Sequence, residues 1–166
     1  LDNKNNNTPL HFLNSFPVNQ PLVKILTGAI DGYGFDRLQA LLSDARGSEL
    51  FLTNFNSESL QSFVAGLDGL LCVNELNQKY KLKALHQWVS KLPEVKASKV
   101  PQPLSNNLIS LQSEDAATAV QGTVTVTPSG LGVTTSSQFQ MSNGFAGTDE
   151  VKPLADWFDS IWSDPQ

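Results

Sequence analysis

The side chains able to act as nucleophile, base or metal ligand are few in this chain: two histidines, one cysteine and scattered carboxylates in 166 residues. Proton-transfer catalysis needs such a group within hydrogen-bonding reach of the proton it moves. A zinc site needs several His, Cys or carboxylate ligands brought together. His11 is followed by Phe12-Leu13 and His86 by Gln87-Trp88, and neither has a second histidine four residues on or a cysteine pair beside it. Both read as ordinary histidines of a helix surface or a polar arm. Asp31, Asp36 and Asp44 are spread over a turn and a helix, so they form no paired-carboxylate constellation. Cys72 is the single cysteine, which excludes an internal disulfide and a cysteine-based metal cluster. No cofactor and no metal is read from these residues.

Glycines and lysines carry the remaining signals. Gly28, Gly32 and Gly34 follow an apolar run, as in a phosphate-binding turn, but Arg37 stands where a third spaced glycine belongs and no Lys-Ser/Thr pair follows. A tight strand-to-helix turn is the plainer reading. Gly122-Thr123 and Ser129-Gly130 do not complete a nucleophile elbow. Lys79, Lys81, Lys83, Lys91, Lys96 and Lys99 are six of the eleven basic residues, and Glu94 alone offsets them within that span. Lys79, Lys83, Lys96 and Lys99 are the candidates for a DNA face. The first two lie one helical turn apart, and the last two are placed at a strand end facing the same side. A solvated helix face is the plainer reading of the strip.

The elements that must position these residues can be read from periodicity. Residues 22 to 30 form a mostly apolar run between Pro21 and Asp31-Gly32, which predicts a buried strand. Phe35, Leu38, Leu41, Leu42 and Ala45 fall at helical spacing, predicting a helix over 35 to 45. A second strand is predicted at 49 to 55, a helix at 57 to 66 after the cap Ser57, and a short strand at 70 to 73. The next helix, about 75 to 92, carries Leu76, Tyr80, Ala84, Leu85, Trp88, Val89 and Leu92 on its apolar face and ends at Pro93. This β-α-β-α-β-α order implies parallel strand pairs with crossover helices. Three strands without intervening helices follow, at 107 to 111, 118 to 127 and 134 to 141. A closing helix at 150 to 163 presents Val151, Leu154, Ala155, Phe158, Ile161 and Trp162 on one face, with Pro153 in its first turn and Trp157 off that face. Residues 1 to 8, with four asparagines, read as a loose polar arm. The fold class is α/β: a mixed sheet flanked by helices, in a single domain.

Composition agrees with a globular chain: 40% hydrophobic and 16% charged residues. A domain of this length buries roughly 70% of its unfolded surface and folds without disulfide or metal. The net charge of -5 opposes encounter with phosphate, so free-standing nucleic-acid binding is disfavoured outside the lysine strip. No apolar run approaches the length of a membrane span and no signal peptide is visible, so the expected location is cytoplasmic, without membrane contact. Leu1 at the start and Asp164-Pro165-Gln166 after an amphipathic segment read as the ends of a piece cut from a longer polypeptide.

Three stretches together resemble the phospholipase D-like superfamily, in the nuclease-type form found beside Swi/Snf-type helicases and in restriction systems. Residues 26 to 35 (LTGAIDGYGF) look like its first strand and glycine turn, 122 to 131 (GTVTVTPSGL) like its Gly-Ser-Ser-Asn-Phe-Thr segment, and 151 to 162 (VKPLADWFDSIW) like its closing helix. The resemblance implies a phospholipase D-like fold, with a His-x-Lys pair and a Gly-Ser-x-Asn segment as catalytic parts. In that family the histidine takes the phosphoryl group while lysine and asparagine hold its oxygens. This chain has no His-x-Lys. The position ahead of the strand at 107 reads Pro103-Leu104-Ser105, and the Gly-Ser-x-Asn position reads Gly122-Thr123-Val124-Thr125. Pro103, Ser105, Gly122, Thr123 and Thr125 are therefore degenerate motif positions, with no catalytic residue among them. The expected function is a non-catalytic domain assisting DNA binding or domain assembly in a larger helicase or restriction protein. Its expected partners are DNA, bound weakly, and other domains of the parent. Two alternatives stand beside it: a dimerisation scaffold, implying a homodimer, and a phosphodiesterase completed by residues elsewhere in the longer chain.

Overall fold

The computed structural model describes residues 1, 7–54, 76–98, 106–135 and 140–163. Its centre is a six-stranded sheet of order β3-β2-β1-β4-β5-β6. The strands are β1 (Leu22–Thr27), β2 (Gly47–Leu52), β3 (Val95–Ala97), β4 (Asn107–Gln112), β5 (Ala117–Gly122) and β6 (Ser142–Ala146). β1, β2 and β3 are parallel; β4 runs antiparallel to β1, and β5 and β6 continue antiparallel. The helices are α1 (Pro9–Ser15), α2 (Gly32–Ser43), α3 (Leu76–Val89) and α4 (Thr148–Ser163). The chain is thus an α/β protein with a mixed sheet flanked by helices. Among the described residues no helix is long and apolar enough to cross a membrane.

Alternation along the strands divides the core in two. Val23 and Ile25, Leu50 and Leu52, Ile109 and Leu111, and Val120 join Leu13 of α1, Phe35 and Leu38 of α2, and Leu85 and Val89 of α3. Leu26, Phe51, Leu108 and Ala119 point to the other side and meet Val151 and Phe158 of α4. Buried on both faces, β1 and β4 read as near-continuous apolar runs rather than alternating ones.

Several boundaries differ from the sequence expectations. β1 stops at Thr27, and beyond it Ile30 makes a single parallel bridge to Val126. β5 ends at Gly122, whose φ of 135° turns the chain away from the ladder. A strand was expected at 134 to 141; residues 136 to 139 lie outside the described residues, the described ones of that span are not in a strand, and β6 runs at Ser142–Ala146. Its Ser-Asn-Gly-Phe-Ala sequence has little intrinsic strand preference. Pairing with β5 makes it a strand, and Gly144 leaves room for the Phe12 ring, which lies 2.6 Å from where a Cβ would stand. The expected helix at 57 to 66 and strand at 70 to 73 lie outside the described residues. α1 follows the expected arm directly: Thr8 is its N-cap, accepting from the His11 amide at 3.2 Å, and Pro9 opens it. Leu1, also within that arm, accepts a 3.0 Å hydrogen bond from the Ser142 amide. α4 begins at Thr148, earlier than expected, so Pro153 lies beyond the first turn, where it removes one helical hydrogen bond. Tyr80, expected on the apolar face of α3, is 71% exposed.

Candidate functional site

The carboxyl ends of parallel strands are where open α/β sheets bind ligands. Here that rim is held together by Asn107, the first residue of β4, which is buried. Its Oδ1 accepts from the Gly28 amide at 2.9 Å, and its Nδ2 donates to the Gly122 carbonyl at 3.4 Å. One side chain therefore ties the end of β1 to the end of β5. Asn54 Nδ2 donates to the Gly28 carbonyl at 3.0 Å, and Thr27 Oγ1 donates to the Ala29 carbonyl at 2.8 Å. Asn107 was not singled out from the sequence. An asparagine placed just before an apolar run was the signal available.

The segment after β5 packs onto the turn that opens α2. The Asp31 amide donates to the Val126 carbonyl at 3.0 Å, and the Val126 amide to the Ala29 carbonyl at 3.0 Å. Asp31 caps α2, its Oδ1 accepting from the Gly34 amide at 2.7 Å. A Cβ on Gly34 would overlap the Val126 carbonyl, and one on Gly130 would lie 2.6 Å from the Thr125 amide nitrogen. Gly32 leaves room for α3, since a Cβ there would sit 3.0 Å from the Leu82 nitrogen. Chain crossings thus account for Gly32 and Gly34, and the α2 N-terminus is closed by its own aspartate.

The degenerate motif positions serve the same packing. Gly122 has Met141 O 2.7 Å from a Cβ position, and Thr123 Oγ1 donates to that carbonyl at 3.1 Å and accepts from the Met141 amide at 3.0 Å. Thr125 and Thr127 hydroxyls lie 2.9 Å apart, and the Gly130 amide donates to Thr127 Oγ1 at 3.1 Å. Pro103 and Ser105 lie outside the described residues. Most hydroxyls and amides of the described rim are thus spent on one another or on backbone; Thr53 Oγ1, just past the end of β2, is buried without a hydrogen-bond partner. His11 sits on α1 and His86 on α3.

Of the four candidate lysines, Lys83 and Lys96 lie on opposite sides of the sheet. Lys83 is exposed on α3, and Lys79 lies in the first turn of the same helix. Lys96 projects from β3 to the opposite side of the sheet. Its Nζ donates to the Trp162 carbonyl at 2.8 Å, lies 4.8 Å from the Trp162 ring centre and 3.7 Å from Glu94. A strand reverses its side chains at every residue, and the register Phe51↔Lys96 puts Lys96 on the α4 side with Phe51. Lys99 lies outside the described residues.

That α4 side holds the buried charges. Lys24, 6% exposed, pairs with Asp159 of α4 at 2.5 Å. Glu49 is the register partner of Lys24, and its Oε2 is buried without a hydrogen-bond partner. Burial pushes the Glu49 carboxyl above its usual range; Lys24 and Lys96 oppose that rise and Asp159 adds to it. Trp157 is half-buried against the apolar residues of this side, the cluster that holds Leu26, Phe51 and Phe158.

Fold and rim together define an α/β protein whose described strand ends carry neutral polar groups, most of them hydrogen-bonded. The sequence matches no known family model, and no curated protein is similar to it.

Proposed function

We propose that this chain is a catalytically silent phospholipase D-like domain that assists DNA binding or domain assembly in a larger, cytoplasmic DNA-processing protein of the helicase or restriction kind. One observation supports the absence of chemistry: at the described strand ends, Asn107 and Thr123 bond to backbone groups and the Thr125 and Thr127 hydroxyls to each other. A phosphoryl-transfer site needs a nucleophile and preorganised positive charge there. Asp31, the ionisable residue of the turn, is engaged in capping α2. The placement of Lys96 under α4 takes that lysine out of the expected DNA strip.

The test is turnover of a generic phosphodiester and of DNA by the purified chain, with His11→Ala and His86→Ala as controls. All three proteins are expected to stay at the buffer rate. Turnover that disappears in either variant would overturn the silent-site reading.

A further inference from the structure

α3 holds no carboxylate, nor does the chain from Asn77 to Pro93, in a protein of net charge -5. The helix buries Leu85 and Val89 and lays Trp88 against Phe35 at 5.3 Å between ring centres. Its opposite side meets water. Along that side come Tyr80, Lys83 and Gln87, with Lys91 just past the helix end, all exposed and at helical spacing. Among the described residues, the salt bridge from α3 runs from Lys81 to Asp36 at 2.6 Å, which leaves Lys83 and Lys91 outside any ion pair. Tyr80 is 71% exposed, so most of its surface meets water. The acidic helix α4, with Asp149, Glu150, Asp156 and Asp159 against Lys152, packs on the other face of the sheet. Screening at physiological salt acts over about 8 Å, and the sheet stands between the two layers.

We propose that the Tyr80–Lys83–Gln87–Lys91 stripe binds single-stranded nucleic acid, with the lysines on phosphates and the Tyr80 ring stacked on an unpaired base. The inference rests on the DNA-binding arm of the function proposed above. A basic track with an exposed aromatic ring is the arrangement that holds single strands, because every base offers a face for stacking. In a duplex the faces are already stacked on one another. Tyr80 and Lys91 are eleven residues apart, about 16 Å along a helical path, the reach of a few nucleotides. Gln87 lies between them with an amide that can donate to phosphate or base.

The experiment is fluorescence anisotropy of labelled oligo-dT and of a duplex of equal length, with wild type, Tyr80→Ala, Tyr80→Phe and Lys83→Glu/Lys91→Glu. All three substituted positions are exposed, and thermal melts check that each variant stays folded. Oligo-dT is expected to bind more tightly than duplex. Tyr80→Ala should weaken it about 5- to 100-fold without changing its salt dependence, and Tyr80→Phe should bind like wild type. The double lysine variant should bind more weakly and lose roughly 0.7 from the log-log salt slope for each phosphate contact removed. Binding of Tyr80→Ala equal to wild type, or preference for duplex, overturns the stacking stripe while leaving the DNA reading in place. Failure of wild type to bind either form overturns both and leaves domain assembly as the function.

Discussion

Lys24 Nζ and Asp159 Oδ1 lie 2.5 Å apart, joining the middle of a central strand to the last turns of α4. The two ends of this bond differ in exposure: the Lys24 side chain is 7% exposed and that of Asp159 51%. Removing the exposed partner strands a charge under the helix, whereas replacing the buried one with an apolar chain removes the charge itself. Asp159→Asn is expected to lower unfolding free energy by about 1–3 kcal/mol, reduced from a fully buried pair because water screens Asp159. Lys24→Met should cost less. Urea unfolding of both variants checks the order, and a larger loss for Lys24→Met would contradict it.

Glu49 sits beside that pair with one buried oxygen unpartnered. Its acidity is weakened by burial, so the folded state holds the proton more tightly than the unfolded state. Stability contributed by the neutral form is full below the unfolded-state pKa and is lost as pH rises through the higher folded-state value. Glu49→Gln is expected to be more stable than wild type at neutral pH, with the difference vanishing as pH falls below the ordinary carboxylate range. Thermal melts from pH 4 to 8 would show it. Parallel curves for the two proteins would mean that Glu49 does not titrate in this way.

Two glycines separate space from backbone strain. At Gly34 a methyl group would collide with the Val126 carbonyl, while at Gly147 nothing lies within 4 Å but φ is 104°. Gly147→Ala should cost about 1–2 kcal/mol, the penalty of a left-handed backbone for an alanine. Gly34→Ala should cost more, because Val126 is bonded on both sides, to Ala29 and Asp31, and cannot give way. Chemical denaturation ranks the pair.

Asn107→Ala leaves the Gly28 amide without its acceptor at a buried position. A loss of about 1–3 kcal/mol is expected. Hydrogen exchange localises it: the Gly28 amide should lose protection before those of β6, and uniform loss across the sheet would argue against a local staple.

Much of this architecture was written in local sequence. The apolar runs of β1, β2 and β4 and the amphipathic spacing of α2 and α4 depend on residues a few positions apart, and periodicity reads such pairs directly. The lysine stretch with Glu94 alone against it and the missing His-x-Lys were equally plain. α1 was not anticipated: residues up to Thr8 read as an arm, and the capping chemistry of Thr8 and Pro9 passed unused.

Tertiary structure decided what depends on partners distant in sequence. β6 is a strand because β5 stands beside it and Phe12 fills the space over Gly144; nothing in Ser-Asn-Gly-Phe-Ala requires it. Lys96 looks like a member of a basic strip in the sequence. One residue of strand parity turns it to the far face, onto Trp162, sixty-six positions away. Asn107 becomes the staple of the rim only because β1 and β5 end on either side of it, at separations of 79 and 15 residues. A side chain's type and local spacing show what it can bond to, but the sheet register selects its partner.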